Sequence, residues 1–284
     1  MSAGPRIAAF AVLLVATFAL AALAGNRIDP GPTAGETAHD DAAAGEDDGH
    51  DAGDETGEHA GDETAAPAGG GLRVVTDTTT LTTGGSQRFA FRIVDEQGAT
   101  RRSFEVEQGR RMHLIVVRRD LRRFQHLHPV QDADGAWSVA LRLPDAGVYH
   151  AFADFRSDGE RHTAGIDLFA AGSFEPLALP APSSSAQVDG YDVRLHRTHG
   201  DSELRFTVSR DGAPVRDLQP YLGARGHLVM LRDGDLAYEH VHPAGSAQLA
   251  FETEHAEAGV YRLFLQFRHR DRIRTAAFTY EVRG

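Results

Sequence analysis

The sequence predicts an all-β fold: two tandem immunoglobulin-like antiparallel β-sandwiches after an N-terminal hydrophobic helix and a disordered acidic linker. Three observations support this prediction. From about residue 72, apolar and polar residues alternate in short runs separated by Gly, Asp and Pro. Helical periodicity is nowhere sustained, and the first half of this region recurs in the second half. Short alternating strands with frequent turns are typical of sandwiches.

The first 25 residues predict either a transmembrane anchor or a cleaved signal peptide. Residues 7–24 form an uncharged apolar run of 18 residues, which is at the short end of what spans a hydrocarbon core of about 30 Å. Arg6 precedes this run, so we expect the N-terminus to stay cytoplasmic and the remainder to be exported. Ala22-Leu23-Ala24 also fits a small-x-small cleavage site. Both alternatives place the rest of the chain outside the cytoplasm.

Residues 26–71 predict a disordered acidic linker. Residues 36–64 contain twelve Asp or Glu and no Lys or Arg, which leaves 29 acidic and 29 basic residues in the rest of the chain. The net charge of −12 therefore belongs to this segment, and without a basic surplus we expect no nucleic-acid partner. His39, His50 and His59 lie among these carboxylates. They are either weak metal ligands in the tail or incidental residues of a solvated spacer.

The folded region divides at a Pro/Ser-rich linker, residues 173–187. The first predicted sandwich covers residues 72–172 and the second covers residues 188–284. Strand-like segments in the first half are RFAFRIV (88–94), HLIVV (113–117), WSVALRL (137–143), VYHAFADF (148–155) and IDLF (166–169). Those in the second half are LRFTVS (204–209), HLVML (227–231), QLAFETE (248–254), YRLFLQF (261–267) and AAFTYEV (276–282).

An internal repeat relates the two halves. HLIVVRRDLRRFQHLHP (113–129) aligns with HLVMLRDGDLAYEHVHP (227–243), and DAGVYHAFADF (145–155) aligns with EAGVYRLFLQF (257–267). Tyr149 and Tyr261 occupy equivalent positions at the start of a strand. We expect each to form a tyrosine corner, in which the hydroxyl bonds back to the chain.

Three histidines recur with the repeat and are candidate metal ligands. In a strand, His126 and His128 point to the same face, and Pro129 ends regular pairing beyond them. A symmetric hairpin over residues 113–128 places His113 opposite His128, and Ile115 opposite His126. The first predicted triad is therefore His113, His126 and His128.

The same construction in the second half centres the hairpin on Gly234 and Asp235. It gathers His227, His240 and His242 into a second predicted triad. Three neutral imidazoles converging on one point suit Zn(II) or Cu(II). The alternative is that duplication copied histidines with a structural role, such as capping turns or filling polar pockets.

The composition excludes several classes of site. The chain contains no cysteine and only three methionines, so disulfides, thiolate sites and a methionine-rich Cu(I) carrier are ruled out. No nucleophile elbow, phosphate loop or His-Glu-x-x-His motif occurs. The residues after Pro129 lack the glutamate of a cupin, and the sequence lacks the cysteine pair of a copper–zinc superoxide dismutase. We therefore predict a protein that is not an enzyme.

The segments HLIVVRRDLRRFQHLHP, GAWSVALRLPDAGVY and PVRDLQPYLGARGHLVMLRDGDLAYEHVHP resemble a group of uncharacterised actinobacterial exported proteins, some labelled heavy-metal-binding. Their tandem units look like the YtkA-like and FixH-like periplasmic domains. The resemblance covers about residues 72–283 and implies immunoglobulin-like domains outside the cytoplasm. The histidines that match are His113, His126, His128, His227, His240 and His242.

The function hypothesis combines these observations. We predict an extracytoplasmic binding protein, held at the cell membrane by its N-terminal helix or secreted if that segment is cleaved. Its hypothesised ligand is Cu(II) or Zn(II), bound through a triad in each repeat. The alternative is a protein-interaction or structural module of the cell envelope whose repeated histidines are structural.

Overall fold

The computed structural model describes the backbone of residues 65–66 and, in full, residues 71–197, 203–239, 241–245, 248–253 and 256–283. The predicted N-terminal helix and most of the acidic linker lie outside these residues. Within them, no helix is long and apolar enough to cross a membrane. The architecture is all-β, as the sequence predicts.

The first repeat contains ten strands in the described part of the chain. They are β1 (Ala65–Ala66), β2 (Arg73–Val75), β3 (Thr80–Leu81), β4 (Ser86–Val94), β5 (His113–Arg118), β6 (Arg122–Leu127), β7 (Val130–Gln131), β8 (Trp137–Arg142), β9 (Gly147–Ser157) and β10 (Glu160–Ala170). One sheet has the order β1-β10-β9-β5-β6 and the other has the order β2-β4-β8-β7. Strand β3 adds to β10 in parallel.

The second repeat has the same plan. Its strands are β11 (Ser185–Val188), β12 (Tyr191–Arg197), β13 (Glu203–Arg210), β14 (Ala213–Pro214), β15 (Gly226–Arg232), β16 (Tyr238–Glu239), β17 (Val241–Pro243), β18 (Ala250–Thr253), β19 (Gly259–His269) and β20 (Arg272–Val282). One sheet has the order β16-β15-β19-β20 and the other has the order β11-β12-β13-β18-β17. The end of the predicted Pro/Ser linker therefore forms strand β11.

Strand β5 is buried on both faces. Leu114 and Val116 point into the core of the first sandwich, whereas Ile115 and Val117 belong to a separate cluster with residues of the second repeat. A strand covered on both sides requires a continuous apolar run, which HLIVV supplies. The sheet that contains β5 therefore packs on the sheet that contains β15.

The contacts between the two repeats are reciprocal. Phe124 of β6 stacks on Phe264 of β19, with ring centroids 4.2 Å apart. Tyr238 of β16, the equivalent of Phe124, contacts Phe152 of β9, the equivalent of Phe264, at 5.3 Å. Each repeat thus uses the same two positions to contact the other repeat, as in an isologous dimer. The repeats are related by a local two-fold axis that runs through this apolar contact.

Both tyrosine hydroxyls bond back to the chain as a tyrosine corner requires. Tyr149 Oη donates to the backbone carbonyl of Asp145 at 2.9 Å, and Tyr261 Oη donates to that of Glu257 at 2.8 Å. Each tyrosine is fully buried in its own sandwich. Each bond links the first residues of a long strand, β9 or β19, to the turn that precedes it.

Candidate metal centre

The first hairpin has the predicted strand pairing at the end that carries the histidines. Ile115 pairs with His126 and Leu114 pairs with Leu127, so the same register continued by one residue places His113 opposite His128. Nearer the turn the pairing shifts between Val116 and Arg118. This β-bulge makes the turn asymmetric, and it leaves the end that carries the histidines unaffected.

The first triad is assembled. His113, His126 and His128 each offer one ring nitrogen, and these three atoms lie within 4.8 Å of one another. The ring centroids are separated by 5.1 Å for the pairs that include His113 and by 4.8 Å for His126 and His128. Because β5 and β6 present these side chains on the face that packs against the second repeat, the triad lies at one end of the contact between the repeats.

Hydrogen bonds to carbonyl oxygens determine which ring nitrogens carry protons. His126 Nδ1 lies 2.7 Å from Gln266 Oε1, and His113 Nε2 lies 3.3 Å from the backbone oxygen of Glu107. A carbonyl oxygen only accepts, so both of these nitrogens are protonated when both bonds are made. His113 Nδ1 and His126 Nε2 then face each other at 2.9 Å with a lone pair each.

The identity of the Gln266 acceptor is supported by its amide group. Gln266 Nε2 donates to Thr275 Oγ1 at 3.3 Å, which leaves Oε1 directed at His126. Gln266 lies on β19 of the second repeat, so a histidine of one repeat is oriented by an amide of the other. Sequence patterns alone do not single out Gln266. The signal in the sequence is its alignment with Asp154, so that both repeats place an uncommon polar residue just before a buried phenylalanine.

Burial keeps the imidazoles of this cluster neutral. It lowers the pKa of His113 and holds the pKa of His126 well below its ordinary value, with the neighbouring histidines adding to the effect. Burial, reinforced by the charges of His113 and Arg110, lowers the pKa of His128 to about 4. A proton shared between two rings is therefore disfavoured at neutral pH, and the lone pairs remain available to a metal ion.

The second hairpin departs from its prediction. Met230 pairs with Glu239 and Leu231 pairs with Tyr238, as the symmetric hairpin requires. The chain then leaves this sheet, and His242 pairs with Glu252 of β18 in the other sheet. The prediction that His242 stands opposite His227 is therefore wrong. His240 lies outside the described residues.

His227 joins the first triad instead. Its ring lies 4.6 Å from that of His126 and 5.8 Å from that of His113, and both pairs are stacked. Burial lowers the pKa of His227 to about 3. The Nε2 atoms of His227 and His128 are buried and have no hydrogen-bond partner among the residues that the structure describes. Four histidines from two repeats thus form one cluster.

A cleft gives solvent access to this cluster. Its volume is about 500 Å³, and it is bordered by His126, His128 and residues of the second repeat, including Tyr221 and Ile273. On the opposite side, a small cavity of about 20 Å³ is bordered by His113, His227 and the polar residues Glu107, Asp154 and Arg161. Burial raises the pKa of Asp154 to about 7.

The remaining histidines of the described region bond elsewhere. The ring of His150 bonds Asp167, that of His196 bonds Thr207, and that of His269 bonds Tyr191. The tail histidines His39, His50 and His59 lie outside the described residues. Metal binding by the tail therefore stays a prediction.

One family model matches both repeats. A domain of unknown function, DUF8832, matches residues 66–172 and again residues 186–284. The chain belongs to the DUF8832 family. The two DUF8832 domains correspond to the two sandwiches, and the histidine cluster lies between them. No curated protein matches the chain.

Three solved structures match this DUF8832 protein at low sequence identity and low TM-score. A titin A168–A169 substructure is 8% identical with a TM-score of 0.20, and the match covers 74% of this chain and 99% of that one. Extracellular domains 3–5 of Drosophila OTK are 10% identical with a TM-score of 0.20, covering 78% and 99%. Domains 4–9 of the surface layer protein SbsC are 9% identical with a TM-score of 0.21, covering 74% and 30%. None of these likenesses bears on function.

Proposed function

We propose that this DUF8832 protein binds one divalent transition metal ion, Cu(II) or Zn(II), at His113, His126 and His128, and that it has no catalytic activity. The observation that carries the proposal is the pair of ring nitrogens, His113 Nδ1 and His126 Nε2, that face each other at 2.9 Å. With the opposite nitrogens bonded to carbonyl oxygens, neither can donate to the other. A cation that accepts both lone pairs satisfies both rings at once.

The spacing of these two nitrogens favours Cu(II). With metal–nitrogen bonds of about 2.0 Å, nitrogens 2.9 Å apart subtend an angle of about 90° at the metal. Right angles between neighbouring ligands are typical of tetragonal Cu(II) rather than tetrahedral Zn(II). All three ligand atoms of the triad lie within 4.8 Å of one another. Because ligands on opposite sides of such an ion lie about 4 Å apart, binding would draw the rings together by at most about 1 Å.

A structural role for the histidines is the competing function. The bond between His126 and Gln266 and the stacking of His227 on His126 both join the two repeats. In this alternative, the histidines are polar contacts of a domain interface, and the protein is an interaction module of the cell envelope. It leaves two lone pairs of His113 and His126 facing each other, and the buried Nε2 of His128 without a hydrogen-bond partner in the part of the chain that the structure describes.

The proposed location is the extracytoplasmic side of the cell membrane. The apolar run at residues 7–24 would anchor the chain, or would direct its secretion if cleaved, and the acidic linker would hold the metal site away from the bilayer. The sequence resemblance to YtkA-like and FixH-like domains supports this location. We propose that DUF8832 is related to those domains.

Calorimetry of the full chain in detergent tests the metal site. The parent protein should carry His39→Ala, His50→Ala and His59→Ala, so that the tail contributes no ligand. We expect Cu(II) to bind this parent, and we expect His126→Ala/His128→Ala to lower the affinity at least about 100-fold, since two of three ligands are lost. His196→Ala removes a histidine remote from the cluster and should bind like the parent.

The same variants separate the two functions. Under the structural alternative, His126→Ala/His128→Ala would lower the midpoint of thermal unfolding in metal-free buffer. Added Cu(II) would not raise the midpoint of the parent or of either variant. Under the metal proposal, Cu(II) raises the midpoint of the parent and of His196→Ala only. Equal Cu(II) binding by all three proteins would contradict the proposed triad of ligands.

A further inference from the structure

The histidine cluster has two halves related by the local two-fold axis. In the first half, the His126–His128 pair of the first repeat faces Tyr221 and Ile273 of the second repeat. Tyr221 belongs to a tight turn that closes on Ala224, and Glu107 belongs to the equivalent turn of the first repeat, which closes on Arg110. The second half therefore sets His242 of the second repeat beside the Glu107 turn of the first.

The two halves differ at several equivalent positions, of which Ile273 and Arg161 form one pair. Ile273 is the second residue of β20, and Arg161 is the second residue of β10. The pairing confirms their equivalence, since Thr275 pairs with Gln266 and Thr163 pairs with the aligned Asp154. Ile273 thus borders the first half where Arg161 occupies the second. Arg110 also borders the first half, but the buried Nε2 of His128 has no hydrogen-bond partner among the residues that the structure describes.

Arg161 engages the histidine of its half directly. Its Nη1 lies 2.9 Å from His242 Nε2, and its guanidinium forms an ion pair with Glu107. A guanidinium is always protonated and only donates hydrogen bonds. The Nε2 lone pair of His242 is therefore already used, and a fixed positive charge stands where a second metal ion would have to approach.

We propose that Arg161 keeps the second half of the cluster free of metal, so that the chain binds one metal ion and not two. This inference rests on the proposed metal binding by the first half. It assigns the selectivity to the exchange of Ile273 for Arg161, because Arg161 donates a hydrogen bond to His242 whereas Ile273 can donate none to His126 or His128. The carboxylate of Asp154, which borders the same small cavity as His227, would supply a ligand of a type that Cu(II) and Zn(II) accept once the cation is removed.

Exchanging the two residues tests the inference. The parent is the full chain with the three tail histidines replaced by Ala, and bound copper is counted per chain after desalting. We expect about one copper for the parent, about two for Arg161→Ile, and about one for Arg161→Lys, which keeps the positive charge. Ile273→Arg places a guanidinium beside His126 and His128, and we expect it to weaken binding about tenfold or more.

The experiment includes a safeguard against misfolding. Arg161→Ile leaves two carboxylates without their cation, which is destabilising when they are buried. The double variant Glu107→Tyr/Arg161→Ile removes one of these carboxylates and introduces the side-chain types of Tyr221 and Ile273, which border the first half. Ile273→Arg changes a side chain that is half exposed. Circular dichroism should show that each counted variant is folded.

The possible results distinguish a failure of the Arg161 inference from a failure of the proposed metal binding. Two copper ions on the parent, or one on whichever of Arg161→Ile and Glu107→Tyr/Arg161→Ile is folded, would overturn the role of Arg161 while leaving the first site standing. Unchanged copper affinity of Ile273→Arg would overturn it as well. A parent that binds no copper would refute the proposed function itself, and the inference with it.

Discussion

His126 and Gln266 are 140 positions apart in the chain, yet Nδ1 of the imidazole lies 2.7 Å from Oε1 of the amide. One residue belongs to each repeat. The bond sets the tautomer of His126, and it does so only when the two sandwiches are packed together. The candidate metal centre is consequently a property of the pair of domains.

Gln266→Leu removes this bond while keeping the size of the side chain. We expect the affinity for Cu(II) to fall about 10- to 100-fold, because the group that orients the ligand is lost. The electron paramagnetic resonance spectrum of bound Cu(II) should change as well, because His126 is free to rotate. Gln187→Leu, at an exposed glutamine that bonds Asp192, is the matched control. An unchanged spectrum and affinity for Gln266→Leu would contradict the positioning role.

The stacked pair Phe124 and Phe264 should contribute to stability through the contact between repeats. Phe264 is 3% exposed, and we expect Phe264→Ala to lower the free energy of unfolding by about 3–5 kcal/mol. A double-mutant cycle with Phe124→Ala should give a coupling of about 0.5–1.5 kcal/mol. Urea denaturation measures both values. Phe169→Ala, at a more exposed phenylalanine, should cost far less, and a coupling of zero would show that the stacking is energetically irrelevant.

Tyr149→Phe and Tyr261→Phe test the two tyrosine corners. Each removes one hydroxyl that donates to a backbone carbonyl, and we expect each to lower the free energy of unfolding by about 0.5–1.5 kcal/mol. The two losses should be similar and additive, because the corners lie in different sandwiches. Copper affinity should not change for either variant. A neutral effect in one repeat would mean that its hydroxyl bond is replaced by water.

The metal-free protein should lose stability as the pH falls below about 6.5. The unfolded chain protonates its histidines near that value, whereas His128 and His227 in the folded chain do so only at about 4 and about 3. The unfolded state therefore binds more protons across this window, and acid favours it. Thermal midpoints between pH 7 and pH 4 measure the slope.

Asp154 contributes with the opposite sign. Its folded pKa of about 7 exceeds the ordinary value of about 3.9, so its effect is to favour the folded state at low pH and to lose that effect as the pH rises through 7. His128→Ala/His227→Ala should reduce the fall of the thermal midpoint below pH 6.5, and Asp154→Asn should make that fall steeper. A fall that the histidine substitutions leave unchanged would contradict the assignment.

The sequence was sufficient for the strands and for the first triad, because period-two alternation and the spacing of His113, His126 and His128 determine which side chains share a face. It was insufficient for the second triad. After Glu239 the chain changes sheets, and YEHVHP carries no turn residue or proline before the histidines to mark that point. The choice between two sheets depends on packing that alternation does not encode.

The sequence also contains a signal for the contact between the repeats, but it is not a period-two alternation. HLIVV and HLVML are apolar at every position after the histidine, which indicates strands covered on both faces. The pattern alone does not identify what covers Ile115 and Val117 on the second face. The partner is the other repeat, and the clustering of His227 with the first triad follows from that packing. Gln266 could be found only after the packing was known.

The reciprocal contact of the two repeats has a consequence for synthesis of the chain. A chain that emerges N-terminus first completes HLIVV and FQHLHP about a hundred residues before β15 and β19 follow. During that interval the face of β5 and β6 has no cover, and His126 has no amide to orient it. Under the proposed function, a half-made or truncated chain would therefore hold the ion more weakly than the complete one. Tight binding would require both copies to be present and folded.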